Sequence, residues 1–346
     1  MRRRLGWIPW LAMGAGIVLA PTVLPPAMAT EILIYAIVAV AANLLIGYAG
    51  LFTFGQAAFF AVGGYSAGYL LAHHQVSLPA ALLTGIVAGG VSAAIIGAIC
   101  IRRVGIYFIM LTFAFNQMIY YIAYSWHSVT GGEDGMAGIV RPPVELGALG
   151  RISLDRPLAF YALVAVVFLV CFAAMVRVVD SPLGKIVIAA RENSRRVASI
   201  GYNVQRAQVL MFTISGVFTG VAGALYGMLY WIMPIDAVHW MNSGYIVFMV
   251  LIGGTSSLFG PVIGTAIFIA LQDIFSTFWA RWPLLFGVVV VAVVLFLQGG
   301  VIELVERASA LLARRRLGRE EAQAGVTAPA GAVVEAAGDA PPAPRE

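Results

Sequence analysis

The stretch D-S-P-L-G-K-I-V-I-A-A-R-E-N-S-R-R-V-A-S-I-G-Y-N-V-Q-R, Asp180 to Arg206, interrupts an otherwise almost continuous apolar chain. Lys185, Arg191, Arg195, Arg196 and Arg206 place it on the cytoplasmic side of a membrane, because basic loops are retained there during insertion. Ser181-Pro182 reads as a helix start, with a cap followed by proline at the first helical position, and Gly201 reads as the stop. The spacing predicts one short polar helix held between two spans. Membrane hydrophobicity does not explain such a helix, so it either packs on another surface or is a solvated connector.

Composition agrees with a membrane setting. The 346 residues are 61% hydrophobic and 11% charged, with a mean hydropathy of +0.92, whereas soluble domains carry about 25% charged residues. The net charge of +5 comes largely from arginines at the expected cytoplasmic ends, so it reports topology and not nucleic-acid binding. Cys100 and Cys171 sit in apolar surroundings and read as small buried hydrophobes. His73, His74, His127 and His239 are scattered over expected outer loops, so neither a metal site nor a cofactor is expected.

Outward from the polar stretch, apolar windows long enough to span fall at 5–25, 31–49, 51–72, 77–100, 104–126, 157–178, 207–233, 240–256, 258–278 and 283–301. The expected fold class is an all-α polytopic membrane protein with about ten transmembrane helices. Some of them should be broken. Starting inside, this order puts Arg102-Arg103, the 180–206 loop and Arg314-Arg315-Arg316 all inside, with both termini cytoplasmic. Residues 1–30 read as a first span. Arg2, Arg3 and Arg4 before an apolar run ending in Ala27-Met28-Ala29 also follow the grammar of a cleaved signal peptide, but the run exceeds a typical signal core. The expected organisation continues as a transmembrane domain over 31–302, an interfacial amphipathic helix over 303–317 and a disordered tail over 318–346.

Several spans carry polar residues that hydrocarbon would not tolerate alone. Asn43, Thr53 and Gln56 surround the glycines at the junction of the second and third spans, and Thr112, Asn116 and Gln117 lie in the fifth. Thr112 and Asn116 are four apart and share a helix face. These six are candidates for a pathway, with interhelical hydrogen bonding as the other reading. Gly216, Gly220, Gly223 and Gly227 align on one face as a packing groove. The outer loop opens with Gly131, Gly132, Glu133, Asp134 and Gly135, where glycine fixes tight turns and the acids form a tip. Asp273 reads as an interfacial acid.

The chain has no phosphate-binding loop of the form G-x-x-x-x-G-K-[ST], no series of intramembrane acids or histidines for proton coupling and no nucleophile with a nearby base. No catalytic residue is assigned. A membrane subunit driven by a partner is the simplest remaining reading.

G-Y-A-G-L-F-T-F-G-Q-A-A-F-F-A-V-G-G-Y at 47–65, G-I-Y-F-I-M-L-T-F-A-F at 105–115, T-G-G-E-D-G-M-A-G-I at 130–139, S-P-L-G-K at 181–185, A-A-R-E-N at 189–193 and the 253–264 turn resemble the LivM-like permease subunits of branched-chain amino acid ABC importers. The resemblance runs from about Glu31 to Gln298. It implies a bacterial inner-membrane permease, not itself an enzyme, working with a second homologous permease, two cytoplasmic ABC ATPases and a periplasmic solute-binding protein. By the same resemblance 181–201 is the cytoplasmic coupling helix. Ser181, Gly184, Lys185, Arg191, Glu192, Asn193, Arg195 and Gly201 are its candidate coupling residues, and Gly131 to Gly135 are candidates for docking the binding protein. The implied cargo is a branched-chain or related amino acid, with urea or amides as alternatives within the family and an ATP-independent carrier or channel outside it. Two positions depart from the family pattern: Ser256 stands where a glycine is usual, and Gln56 where a histidine is frequent.

Overall fold

A computed structural model describes residues 7–74, 76–145 and 151–278, with positions 281, 283–285, 287, 288, 291, 295 and 300 beyond them. Described elements follow in order as α1 (Trp7–Val23), α2 (Pro26–Asn43) continuing into a π-helical turn (Leu44–Ala49), α3 (Gln56–His74), α4 (Leu78–Cys100), α5 (Ile106–Ser125) and a short α6 (His127–Thr130). After the outer segment come α7 (Pro157–Asp180), α8 (Pro182–Ser199), α9 (Val204–Tyr230), α10 (Trp240–Gly253) and α11 (Phe259–Phe278). Six of these segments are long and apolar enough to cross a membrane, namely Pro26–Ala49, Leu78–Cys100, Ile106–Ser125, Pro157–Asp180, Val204–Tyr230 and Phe259–Thr277. The molecule is an all-α, multi-pass membrane protein.

Each apolar window up to 258–278 contains one helix, and the described positions 283–285, 287 and 288 of the last window are helical as well. The helices do not fill the windows evenly. The second window starts earlier, at Pro26, so Ala27-Met28-Ala29 lies within the first turns of α2 and Ala29 is buried. The third starts later, at Gln56, leaving 51–55 outside the helix. The basic cluster at 314–316, the interfacial helix of 303–317 and the tail of 318–346 lie outside the described residues.

The core is organised around α9. Gly216 and Gly220 face α4, where a methyl on Gly220 would sit on the carbonyl of Gly85 and one on Gly216 would overlap Ala93 Cβ and approach Gly89 O to 2.8 Å. Gly223 faces α3, where the same methyl would strike the carbonyl of Phe60. The groove foreseen from their spacing is therefore shared by two helices, α3 and α4, both of which reach Gly220. Aromatic side chains fill the remaining space: Phe59 and Phe108 each meet Phe212 edge-on, at 5.4 and 6.1 Å between centroids. On the other flank Trp10 of α1 packs against Phe172 of α7 and Phe259 of α11. Tyr161 also donates to the Ile17 carbonyl at 2.5 Å.

Two small antiparallel pairings organise the segment between α5 and α7. β1 (Met136–Ala137) pairs with β4 (Ile232–Met233), and β2 (Val144–Glu145) pairs with β3 (Arg151–Ile152). The first fixes the glycine-rich outer segment to the chain just beyond α9.

Candidate functional site

Two regions carry polar chemistry: the end of the helices built on α8 and the π-helical turn, and the interior, where α3, α5, α9 and α10 meet.

α8 begins as the sequence predicts. Ser181 caps it, its Oγ accepting from Gly184 N–H at 3.3 Å and donating to Val178 O at 2.6 Å. Gly184 lies so close to the end of α7 that a β-carbon would overlap the Val178 and Val179 carbonyls. Gly201 ends the segment with φ 96°, in the left-handed region that glycine adopts without strain. The single helix expected between them is corrected by the geometry: Asn193, at φ −154° and ψ 93°, breaks α8 in two. Its Oδ1 accepts from Arg196 N–H at 3.0 Å and so caps the second half, in the usual way of a short polar side chain. Gly184, Val187, Ala190 and Val197 are buried against the body, while Lys185, Glu192, Arg195 and Arg196 are exposed.

Arg191 is exposed as well, but it also reaches back to the body. Its guanidinium donates to the carbonyl of Gly47 in the π-helical turn, and its stem lies over Gly50. Gly50, at φ 68°, ends the π-helical turn. Asn43, completely buried, donates from Nδ2 to Ser257 O at 3.1 Å, tying the same region to the turn between α10 and α11. Gly253, Gly260 and Gly264 bring those two helices into backbone contact. Ser256 in this turn is exposed, and Trp231 is the one described non-glycine residue with positive φ. The serine therefore imposes no left-handed strain where the family usually has glycine.

In the interior the polar candidates act as connectors between helices. Gln56 is fully buried; its Nε2 donates to Ser215 Oγ at 3.1 Å and its Oε1 accepts from Thr219 Oγ1 at 2.9 Å. A neutral amide placed this way stitches α3 to α9 and has no titrating role. Thr53 Oγ1 accepts from Gly55 N–H at 3.1 Å, and Thr112 Oγ1 accepts from Phe54 N–H at 3.4 Å. Ala57 N–H donates to Ser243 Oγ at 3.0 Å. Two amides of the loop before α3, and that of Ala57 in its first turn, which has no intrahelical acceptor, are thus met by side chains of the loop itself, α5 and α10. One turn further along α5, Asn116 donates to Val238 O at 3.1 Å in the loop before α10. Thr112 and Asn116, predicted to share a face, are both fully buried on it. Asn43 Oδ1, Asn116 Oδ1 and Gln117 Oε1 are buried acceptors with no donor among the described residues. Gln117 lies one residue round from that face and is only half-buried.

Replacing Gln56 by leucine removes one hydrogen bond from each of the Ser215 and Thr219 hydroxyls, which keep the Ala41 and Ser215 carbonyls as acceptors. A loss of about 1–3 kcal/mol is expected, seen as a lower unfolding midpoint of the purified protein in detergent. Gln56→Glu should also destabilise, since the acid would be buried without a cation.

The outer loop carries a residue that sequence reading missed. Arg141 is buried and donates from Nε to Met228 O at 2.7 Å, from Nη2 to Leu229 O at 2.7 Å and from Nη1 to Leu154 O at 3.3 Å. Its guanidinium lies over the rings of Phe160 and Trp231, 4.2 and 4.6 Å from their centroids. Burial lowers its pKa, and Asp155 acts in the opposite direction. A cation on the last carbonyls of α9 suits the negative end of the helix dipole. Only an isolated arginine before Pro142-Pro143 marks it in the sequence.

Gly131, Gly132, Gly135 and Gly138 all take positive φ, as their density suggests. Glu133 and Asp134 are exposed at the tip, while Met136 and Ile139 insert beside Gly68. Asp273 is exposed. Among the described residues no group of His, Cys, Asp and Glu could hold a metal ion, and Cys100 and Cys171 are both free and buried.

Residues 25–298 match the family model for the permease component of branched-chain amino acid transport systems. The chain belongs to this family. LivM, the permease protein of a high-affinity branched-chain amino acid transport system in Escherichia coli, is 23% identical to this permease over 297 residues, covering 80% of the chain and 69% of the relative. LivM of Salmonella typhimurium is likewise 23% identical, over 296 residues. No solved structure matches the chain. The match to the family starts close to the beginning of α2 and takes in α8, the π-helical turn and the 253–264 turn.

Proposed function

We propose that this permease is the membrane-spanning half of an ATP-driven importer of the bacterial inner membrane, carrying a branched-chain or related amino acid by alternating access. Its partners in that reading are a second homologous permease, two cytoplasmic ABC ATPases and a periplasmic solute-binding protein, with both termini cytoplasmic. The observation that carries it is α8: a polar, broken helix between two spans of a family member, with one face packed and Lys185, Glu192, Arg195 and Arg196 exposed on the other. A permease without its own nucleotide-binding loop needs such a surface to receive work, and the work enters through different contacts in the two states of the partner. The exposed Glu133-Asp134 tip is the proposed docking surface for the binding protein.

The test is charge reversal at Glu192 and Arg195, together and singly, in the assembled complex. Substrate-stimulated ATP hydrolysis and uptake should both fall by roughly an order of magnitude, as expected for close charge pairs across an interface. Unchanged stimulation in the double variant would remove α8 from the interface. Sustained solute flux through the permease alone in liposomes without nucleotide would replace the reading with that of a carrier or channel.

A further inference from the structure

We infer that Arg191 is a strut at the surface of α8, a positioning residue that passes the displacement of α8 to the π-helical end of α2 and onward to the turn between α10 and α11. This rests on the reading of α8 as the element on which the ATPases act.

Three observations carry it. Arg191 is exposed like its neighbours on α8, yet its guanidinium donates to the Gly47 carbonyl, so this cation bonds to its own permease domain from that surface. The stem fits only because residue 50 is glycine: a β-carbon there would come within 2.9 Å of Arg191 Cγ, and the φ of 68° already excludes most side chains. Gly47 in turn sits against the second joint, because a β-carbon on it would lie 2.5 Å from Thr255 O and overlap Asn43, whose amide donates to Ser257 O. Gly254 of the same turn packs directly on Gly300. A close-packed series therefore leads from α8 through Gly47 and Asn43 to the 253–257 turn and residue 300.

The π-helical turn explains why the strut ends where it does. A π turn disrupts the regular i to i−4 pairing, and such turns recur at functional sites. Gly47 lies in the last turn of the segment, where helical carbonyls have no intrahelical donor, so a cationic side chain with several donors can hold its carbonyl through a change in the local winding. Because packed elements shift between discrete arrangements, a rigid strut at this point transmits a small movement of α8 without absorbing it.

The experiment uses the whole complex in proteoliposomes and reads the ratio of solute taken up to ATP hydrolysed, alongside the amount of ATPase that co-purifies. Arg191→Ala should lower the ratio by roughly tenfold while the ATPases remain bound, and Arg191→Lys, which keeps the stem and a donor, should restore part of it. An unchanged ratio in Arg191→Ala overturns the strut. Loss of the ATPases from that variant also overturns it, because Arg191 would then be a docking contact. If the Arg191→Ala permease itself fails to accumulate in the membrane, Arg191→Lys and Gly50→Ala are compared singly and together; non-additive effects on the ratio support the strut, and additive effects overturn it. Full stimulation after charge reversal at Glu192 and Arg195 overturns the underlying reading of α8, an outcome separate from any of these.

Discussion

Gly220→Leu is expected to prevent α9 from seating between α3 and α4. The position is contested from both sides: a β-carbon at Gly63 would strike the Gly220 backbone, and one at Gly220 would strike the Gly85 carbonyl and come within 3.0 Å of Gly89 Cα. Neither neighbour is a flexible side chain that can turn aside, so accommodation requires separating helices. Overpacking typically costs about 1–3 kcal/mol and more where the backbone must move; here a loss of roughly 3 kcal/mol or more is expected. It would appear as loss of monodisperse protein in detergent. Gly220→Ala should retain measurable folded protein with a depressed unfolding midpoint. A wild-type midpoint for Gly220→Leu would show that α9 is less closely clamped than its backbone contacts indicate.

The second large effect is expected outside the helical core, at Arg141. Arg141→Met keeps much of the side-chain volume but leaves the Met228, Leu229 and Leu154 carbonyls without their donor. Hydrogen bonds from a charged donor contribute about 1.5–3 kcal/mol each, so the two short ones set a loss of about 3 kcal/mol or more. Arg141→Lys should rescue poorly, because a single ammonium reproduces neither the fork that reaches successive carbonyls nor the planar contact with Phe160 and Trp231. The check is thermal unfolding together with limited proteolysis of the outer loop in membrane vesicles with that face outward. Full retention of stability in both variants would reduce Arg141 to a surface residue.

What could be read in advance depended on the range of the interaction. Helix positions followed from apolar windows because hydrocarbon selects on composition. The start and stop of α8 followed from Ser181-Pro182 and Gly201, since cap chemistry is local. The glycine face of α9 was legible from spacing, although its partners were not: α3 and α4 lie far away in sequence. The break at Asn193 was hidden because asparagine is also tolerated inside helices. For Thr112, Asn116 and Gln56 the sequence left hydrogen bonding and a pathway equally open. Ser215 and Thr219 tie α3 to α9, while Phe54 and Val238 tie α5 to the loops before α3 and α10, and a pathway role must now coexist with those bonds. The inward aim of Arg191 had no sequence signal, because a carbonyl acceptor leaves no mark on residue type.

The pairing of Met136–Ala137 with Ile232–Met233 has a consequence for biogenesis. Its two strands belong to segments that leave the ribosome at different times, separated by α7, α8 and α9. Pairing across so long a loop must await the second partner, so the acidic outer tip acquires its anchor only after α9 has been inserted. The surface proposed to meet a binding protein is thus completed late, once the helix that organises the core is in place.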